Sequence, residues 1–289
     1  MSPPLPNFLI VGAMKSGTTS LANWIARHPQ GYLAPGKEIH FFDVDEKWEL
    51  GLDWYRGFFA GADGAAAVGE GTPRYMFLAR AVERMAATVP DAKLIVGLRD
   101  PVGRAVSHWQ HACYRAGRER RSFEESVRHE LTLPVDFECE SINGAYLARG
   151  YYARQLERLE RHYPRERIHV LLFEDMQADA AGVFAGVCEF LGIDAVHPPN
   201  LGSRDNAAGG YRPLWLWRRL QHRRRIQRWH PRVAGPIERA MKAPLPRQAP
   251  LDPALQTLLV EHFEPHTAAL EQWLGRPVEG WKRPQRAAA

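Results

Sequence analysis

The 289-residue sequence is poor in cysteine and has no apolar run long enough to cross a membrane. Its three cysteines, Cys113, Cys139 and Cys188, are odd in number and form no Cys-x-x-Cys pair, which argues against a disulfide framework or a zinc site. A bilayer-spanning helix needs about 20 apolar residues, and no run approaches that length. The N-terminus also lacks the basic start and apolar core of a secretory signal. We therefore expect reduced thiols and a cytoplasmic protein.

Positive charge is in modest excess, and much of it lies in one stretch. The formal net charge is +5 and the pI is about 9.2, which favours acidic ligands. Residues 214–232, LWLWRRLQHRRRIQRWHPR, combine arginines with tryptophans. Such a stretch is typical of contact with nucleic acid, anionic lipid or an anionic substrate, and equally of a solvated basic helix face. We expect no nucleic-acid partner, and we keep a peripheral membrane contact through this stretch as a minority hypothesis.

Four short apolar runs predict the strands of a buried sheet. Residues 7–12, 93–98 and 168–173 are continuous apolar runs that end at polar or glycine residues, and residues 65–70 form a weaker fourth. Strands that alternate with helices indicate the α/β class, here a P-loop-like three-layer fold with a central, mostly parallel sheet flanked by helices. We expect one domain over residues 1–289, with ligands at the carboxyl ends of the strands.

Helical patterns occupy the segments between these runs. Asp100 followed by Pro101 is a typical helix start, because the side chain can cap the helix and proline suits its first turn. Residues 251–274 predict two closing helices, because Pro265 interrupts the pattern. Residues 211–250 are rich in proline and arginine, and they predict an insertion between core elements rather than a second domain.

The segment after the first strand, GAMKSGTT, has the glycine spacing of a phosphate loop. Gly12 and Gly17 keep the interval of G-x-x-x-x-G-K-[ST], but Thr18 stands at the usual lysine position and Lys15 lies inside the loop. Backbone N–H groups and the positive end of a helix form an anion cradle there, although an ordinary glycine turn is the alternative. Lys15 adds a charge to the cradle, and hydroxyls come from Ser16, Thr18 and Thr19.

Two further groups of polar residues are placed to share this site. Arg99 directly follows the predicted strand 93–98, at the carboxyl edge of the sheet, where a forked guanidinium suits a phosphate. Ser107 lies two turns into the helix that follows. In KEIHFFD, an extended backbone would put Glu38 and His40 on one side and Lys37 on the other. A carboxylate and an imidazole on one face suit proton abstraction from a hydroxyl, whereas a salt-bridged surface strand is the alternative.

Two features of metal-dependent phosphoryl transferases are missing. No acidic residue after the later strands resembles a Walker-B aspartate, and the loop lacks the adjacent lysine and hydroxyl residue of magnesium-binding loops. A sulfuryl group carries a single negative charge, so lysines and hydroxyls suffice to hold it. The sequence therefore favours transfer of a group less charged than phosphate, with no metal requirement.

Four motifs in the same order resemble the sulfotransferases that use 3′-phosphoadenosine 5′-phosphosulfate (PAPS), and within them the heparan-sulfate, or carbohydrate, branch. GAMKSGTTSL resembles the 5′-phosphosulfate loop, and KEIHFFD resembles the K-E-x-H-F-F-D segment of the heparan 3-O-sulfotransferases. GTPRYM resembles their K-T-P-x-Y-F, and LRDPVGRAVSHW resembles the 3′-phosphate strand and helix. The resemblance covers most of the chain and implies a PAPS-dependent sulfotransferase.

The resemblance also implies roles for the matched residues. Lys15 would contact the 5′-phosphosulfate and stabilise the leaving oxygen, and Arg99 and Ser107 would bind the 3′-phosphate. Glu38 matches the catalytic base, and Lys37 matches a lysine near the sulfuryl group. The remaining matches are backbone groups for the 5′-phosphate at Ser16, Gly17, Thr18, Thr19 and Ser20, supporting polar residues at His40 and Asp43, and a further 3′-phosphate contact at Arg247 within PRQAPLDP.

The sequence departs from the heparan enzymes at two places. Gly71 replaces the lysine that precedes T-P, a position associated with their anionic glycan, and their cysteine-bracketed loop is absent. Both departures weaken the case for heparan itself and fit a reduced, bacterial-type enzyme acting on another glycan, lipid or small-molecule alcohol. Trp48, Trp54 and Tyr55 follow the expected base, and they either line the acceptor site or pack in the core.

Two other functions stay open from the residues alone. A metal-dependent P-loop kinase of small molecules would share the first loop, and a non-enzymatic anion- or membrane-binding module would use the arginine stretch. Within the sulfotransferase hypothesis, His40 is the alternative to Glu38 as general base.

Overall fold

A computed structural model gives the arrangement of most of the chain. It describes residues 2–36, 38–116, 118–134, 144–198, 201, 209–211, 242–244 and 251–281. The predictions for Lys37, Cys139, Arg247 and the basic stretch 214–232 lie outside these residues.

A parallel sheet of five strands lies at the centre of the protein. Its strands are β1 (Phe8–Gly12), β2 (Gly31–Leu33), β3 (Ala67–Gly71), β4 (Lys93–Leu98) and β5 (Ile168–Leu172). Their order across the sheet is β2-β3-β1-β4-β5, and every pairing is parallel. The four predicted strands and the α/β fold class are confirmed. The short strand β2 was missed, because three partly buried residues carry little periodicity.

Helices cover both faces of this sheet. In chain order they are α1 (Thr18–Ala26), α2 (Asp45–Trp48), α3 (Gly51–Arg56), α4 (Ala79–Thr88), α5 (Pro101–Gln110), α6 (Phe123–Glu130), α7 (Tyr152–Glu160), α8 (Phe173–Ala178), α9 (Ala180–Leu191) and α10 (Pro253–Leu274). A π-helical turn, His111–Arg115, continues α5. Two short strands, β6 (Gly209–Tyr211) and β7 (Lys242–Pro244), pair antiparallel near the ends of the predicted insertion.

The alternation of side chains along β1 divides the core into two layers. Leu9 and Val11 join one buried cluster, whereas Phe8 and Ile10 join the other. Because successive residues of a strand face opposite sides, a strand covered on both faces is apolar throughout. The first cluster receives α4, α5, α7 and α10, and the second receives α1 and α9. This arrangement gives the three layers that the sequence predicts.

The closing segment is one helix, so the prediction of two helices broken near Pro265 is wrong. A proline inside a helix removes one hydrogen bond and crowds the preceding turn. Pro265 lies on the exposed side of α10, whereas Leu259 and Phe263 lie on its buried side. The buried stripe packs along α7 and α5, and this packing keeps the helix continuous across the proline.

Two of the three cysteines lie in the part of the chain that the structure describes. Cys113 and Cys188 are both buried. In the part of the chain that the structure covers, no helix has the length and apolar character needed to span a bilayer.

Candidate active site

The carboxyl ends of the parallel strands bring the motif residues to one edge of the sheet. The loop after β1 lies beside the end of β4, where the Ala13 N–H donates to the carbonyl of Gly97 at 2.6 Å. A side chain on Gly12 would collide with Met76, since a Cβ there would lie 1.8 Å from its sulfur. Residues 72–76, which follow β3, therefore pack directly against the first loop.

The first loop turns sharply before α1 and leaves the start of that helix uncapped by any side chain. Gly17 adopts φ 81° at the N-cap, and Lys15 adopts φ 75°, which is rare for a residue with a side chain. Strained backbone of this kind clusters at functional sites. The Ser16 hydroxyl is fully buried and has no hydrogen-bond partner among the described residues. These features fit an anion cradle made of backbone N–H groups, a helix N-terminus and a buried hydroxyl.

Arg99 lies against this loop. Its Nη1 lies 3.4 Å from the carbonyl oxygen of Lys15, to which it donates, and its guanidinium stacks over the ring of Phe173 at 4.7 Å. Phe173 also closes the space beside Gly17, because a Cβ on that glycine would lie 3.0 Å from the ring. Tyr152 donates to the Arg99 carbonyl at 2.8 Å. The predicted proximity of Lys15 and Arg99 is thus present in the structure.

The strand–helix junction after Arg99 is formed as the sequence predicts. Asp100 caps α5 by accepting from the Gly103 N–H at 2.7 Å, and Pro101 occupies the first turn. Burial, together with the nearby charge of Glu174, raises the pKa of Asp100 to about 6. Ser107 is partly buried on the same helix, two turns further on. A rigid helix start therefore fixes the direction in which Arg99 leaves the sheet.

Glu38 and His40 come together in the segment that follows β2. The Nε2 atom of His40 lies 3.3 Å from Oε2 of Glu38, and 42% of the Glu38 side chain is exposed. Both residues have left-handed backbone, with φ 70° at Glu38 and φ 59° at His40. The extended backbone, on which the expected placement of the two side chains depended, is absent at these residues, because two left-handed residues curl the chain. The carboxylate and the imidazole nevertheless lie in contact.

A second carboxylate faces the other nitrogen of His40. Nδ1 of His40 lies 2.9 Å from Oδ2 of buried Asp43, and Arg74 donates to the same oxygen at 2.8 Å. Burial would lower the pKa of His40, but its hydrogen bonds to Asp43 and Glu38 outweigh burial and raise the pKa to about 9. Burial would likewise raise the pKa of Asp43, whereas His40 and Arg74 hold it below its usual 3.8. His40 is accordingly an imidazolium at neutral pH.

The aromatic residues downstream of Glu38 belong mainly to the core. Tyr55 is fully buried and stacks on Phe41 with 4.4 Å between ring centroids. Trp48 and Trp54 are partly buried and pack against the same ring. The core-packing alternative is therefore correct for Tyr55, and the two tryptophans pack against the core while they stay partly exposed.

The residues that sequence reasoning missed lie in the motif GTPRYM and just before it. Arg74 completes the chain of charges through Asp43, and Glu70, Thr72 and Tyr75 form a buried network behind the 38–43 segment. Arg74 was detectable as a charged residue in a motif after a buried strand. The buried network could not be detected from the sequence, because Thr72 and Tyr75 bond to backbone more than 30 positions away.

Comparison with known proteins places this arrangement in a family. The family described as the sulfotransferase domain matches residues 5–200. Human heparan sulfate glucosamine 3-O-sulfotransferase 6 is 34% identical over 191 residues, which is 66% of this chain and 53% of that protein. The crystal structure of a sulfotransferase from Alicyclobacillus acidocaldarius superposes with a TM-score of 0.71 at 30% identity and covers 97% of this chain and 100% of that one. The chain belongs to the sulfotransferase family.

More distant relatives extend the similarity along the chain. Human bifunctional heparan sulfate N-deacetylase/N-sulfotransferase 2 is 26% identical over 294 residues, covering 96% of this chain but 31% of that protein. The chain spans about half the length of the 3-O-sulfotransferases that it matches. The family and the fold inferred from the motifs are confirmed by these comparisons. In the described ranges, no group of three or more histidine, cysteine or carboxylate side chains is arranged to hold a metal ion.

Proposed function

We propose that this protein transfers the sulfuryl group of PAPS to a hydroxyl of an acceptor. The acceptor oxygen bonds to sulfur while its proton passes to the carboxylate of Glu38. The bond between sulfur and the bridging oxygen breaks, and its electron pair stays on the 5′-phosphate, which leaves as adenosine 3′,5′-bisphosphate. This in-line transfer needs a base on one side of the sulfur and a positively charged cradle on the other.

The adjacency of Lys15 and Arg99 is the observation that carries this proposal. The 3.4 Å contact between the Arg99 guanidinium and the Lys15 carbonyl brings two residues with cationic side chains to one edge of the sheet. A nucleotide with phosphate groups at both its 5′ and 3′ positions needs two such anion sites close together. Lys15, the start of α1 and the buried Ser16 hydroxyl suit the 5′-phosphosulfate, while Arg99 and Ser107 suit the 3′-phosphate.

The geometry around His40 favours Glu38 as the base. Both nitrogens of His40 face carboxylate oxygens, at 2.9 Å and 3.3 Å, so both carry protons and neither is free to accept one. Glu38, by contrast, is the more exposed partner and can reach a bound acceptor. His40 then orients the Glu38 carboxylate, and buried Asp43 and Arg74 hold the imidazolium in turn.

A sugar hydroxyl is the first acceptor to test. The relatives that carry heparan sulfate in their names support a carbohydrate, whereas Gly71, in place of a lysine, supports a less anionic substrate than heparan. Lipid and small-molecule alcohols form the second group of candidates. Peripheral membrane contact and a cytoplasmic location stay predictions from the sequence.

Calorimetry with adenosine 3′,5′-bisphosphate tests the donor site directly. We expect one binding site on the full chain, weakened about 10- to 100-fold by Lys15→Ala because a charge-assisted contact contributes about 1.5–3 kcal/mol. Lys93→Ala is the matched control, since Lys93 begins β4 at the opposite, amino edge of the sheet. Absence of binding to the unmodified protein would contradict the proposal.

A transfer assay separates the sulfotransferase from its two rivals. A labelled sulfuryl donor is incubated with glycans, lipid alcohols, small alcohols and amines, and products are identified by mass shift. Transfer that survives EDTA supports the proposal, whereas ATP turnover abolished by EDTA supports a kinase. Salt-sensitive binding to anionic vesicles that Lys15→Ala leaves unchanged would support the non-enzymatic module.

A further inference from the structure

A buried carboxylate lies behind the 38–43 segment and contacts none of the reacting groups. We propose that Glu70 is a positioning residue, which fixes the backbone of His40 and Phe41 through the hydroxyls of Thr72 and Tyr75. This inference rests on the proposed function for its catalytic consequence, and on the described contacts for its geometry.

Two short hydrogen-bonded chains connect Glu70 to that backbone. The Thr72 hydroxyl donates to Oε2 of Glu70 at 2.6 Å and accepts from the His40 N–H at 3.4 Å. The Tyr75 hydroxyl donates to Oε1 of Glu70 at 2.7 Å and accepts from the Phe41 N–H at 3.0 Å. One carboxylate therefore serves two consecutive backbone N–H groups, each through a single hydroxyl.

The carboxyl group of Glu70 accepts a hydrogen bond from each of these two hydroxyls. The Thr72 and Tyr75 hydroxyls both donate to Glu70, so their oxygen lone pairs are left for the backbone N–H groups. All three side chains are almost completely buried, at 1% exposure or less, and water is not available to replace a missing partner. Both hydrogen-bonded chains therefore end on the carboxyl group of one buried side chain, Glu70.

The backbone that this network holds is strained. Glu38 and His40 both have left-handed φ values, a conformation that residues with side chains seldom adopt. Such backbone persists only where surrounding contacts over-determine it. Lys47 contributes a further contact from α2 by donating to the Ile39 carbonyl. External bonds to three consecutive residues therefore keep the contact between Glu38 and His40 in place.

Tyr55 offers a matched control within the same network. Its hydroxyl donates to Oε1 of Glu70 at 3.2 Å, and its side chain is as completely buried as that of Tyr75. Its ring packs on Phe41, but its hydroxyl has no described contact with the backbone of the 38–43 segment. Removing either tyrosine hydroxyl deprives Glu70 of one donor, and only the Tyr75 change also deprives a backbone N–H of its acceptor.

The decisive experiment compares Tyr75→Phe with Tyr55→Phe. Hydrogen–deuterium exchange of the peptide spanning residues 38–43 should accelerate about tenfold or more in Tyr75→Phe, because the Phe41 N–H loses its acceptor. It should change by less than about threefold in Tyr55→Phe. Equal acceleration in both variants, or none in Tyr75→Phe, would overturn the positioning role whether or not the protein proves to be a sulfotransferase.

Kinetics test the catalytic consequence separately. We expect kcat to fall about tenfold or more in Tyr75→Phe, since small displacements of catalytic groups are costly, while affinity for adenosine 3′,5′-bisphosphate stays within about twofold. Tyr55→Phe should keep kcat within about threefold of the unmodified protein. A parallel loss of kcat in both variants would mean that Glu70 stabilises the core without positioning the segment.

Substitutions at Thr72, in the second hydrogen-bonded chain, and at Glu70, where the two chains meet, complete the test. Thr72→Val removes the hydroxyl at nearly constant volume and should lower kcat, whereas Thr72→Ser keeps the hydroxyl and should restore most of it. Glu70→Gln adds a buried donor where only acceptors fit, so it should accelerate exchange at both His40 and Phe41. If Thr72→Ser is as impaired as Thr72→Val, the hydroxyl is not the acting group and this branch of the proposal fails.

Discussion

Two regions of the candidate site, the loop after β1 and the 38–43 segment, are shaped by different parts of the chain. The loop after β1 is shaped by backbone, with an uncapped helix start, a positive φ at Gly17 and the contact between Arg99 and the Lys15 carbonyl. The 38–43 segment is shaped by side chains, since Glu38, His40 and buried Asp43 form a chain of charges. Binding an anion that is always present in the substrate suits a backbone cradle, whereas moving a proton requires groups with tuned charge.

This difference predicts that the two regions respond differently to substitution. On the proposed function, changes at the loop and at Arg99 should weaken nucleotide binding, because those groups would hold charge that exists before the reaction. Changes at Glu38 and His40 should lower turnover and spare nucleotide binding, because Glu38 would take the acceptor proton and His40 would orient it. The following predictions test that division, beginning with the largest expected effect.

Glu38→Gln should give the largest loss. A positioned general base contributes about 10²–10⁴ in rate, so kcat should fall by that factor while the shape of the side chain is kept. Binding of adenosine 3′,5′-bisphosphate, measured by calorimetry, should stay within about twofold because the donor end is untouched. Unchanged turnover in this variant would remove Glu38 from the role of base.

Arg99→Ala should give the converse result. Loss of a charge-assisted contact to phosphate costs about 1.5–3 kcal/mol, which corresponds to about 10- to 100-fold weaker binding of adenosine 3′,5′-bisphosphate. The kcat at saturating donor should change much less, as steady-state kinetics would show. A larger fold-loss in kcat than in affinity for adenosine 3′,5′-bisphosphate would contradict the separation of the two regions into binding and catalysis.

His40 should give the catalytic end a pH dependence at alkaline pH. Its pKa is raised from 6.5 to about 9 in the folded protein, so its stabilising ion pairs are fully present below pH 6.5 and are lost as the pH rises through about 9. Both the free energy of unfolding and kcat should therefore fall in that range. In His40→Asn the fall in the free energy of unfolding near pH 9 should disappear. If the same fall persists in this variant, another titrating group causes it.

Ser122→Ala should give the smallest effect and calibrates the comparison. Ser122 forms a capping box at the start of α6, where it accepts from the Glu125 N–H at 3.1 Å and Glu125 bonds back to it. Losing such a cap lowers the free energy of unfolding by about 1 kcal/mol. Chemical denaturation should detect this change, while nucleotide affinity and kcat stay at the level of the unmodified protein.

The local structure of the first loop and of the start of α5 was largely predictable from sequence because its signals are local. The strand, the glycine spacing, Lys15 and the cap at Asp100 all lie within short stretches whose geometry depends on neighbouring residues. The structure of the 38–43 segment was predicted only in part. The pairing of Glu38 with His40 was anticipated, but from an extended backbone that the structure replaces with two left-handed residues.

The remaining errors have the same origin in long-range packing. Pro265 predicted a broken helix, and the buried stripe of α10 keeps the helix continuous. Strand β2 was too short to carry a pattern, although pairing with β3 makes it part of the sheet. In each case contacts between distant parts of the chain outweighed a local preference.

By itself the sequence determined the α/β class and the positions of the main strands along the chain, because apolar periodicity acts over a few residues. Tertiary structure alone decided the conformation of the 38–43 segment. Its backbone N–H groups are bonded by Thr72 and Tyr75, more than 30 positions away, and Arg74 reaches Asp43 over a similar separation. Hydrogen bonds and desolvation at such separations exist only once the sheet has formed, so no local pattern encodes them.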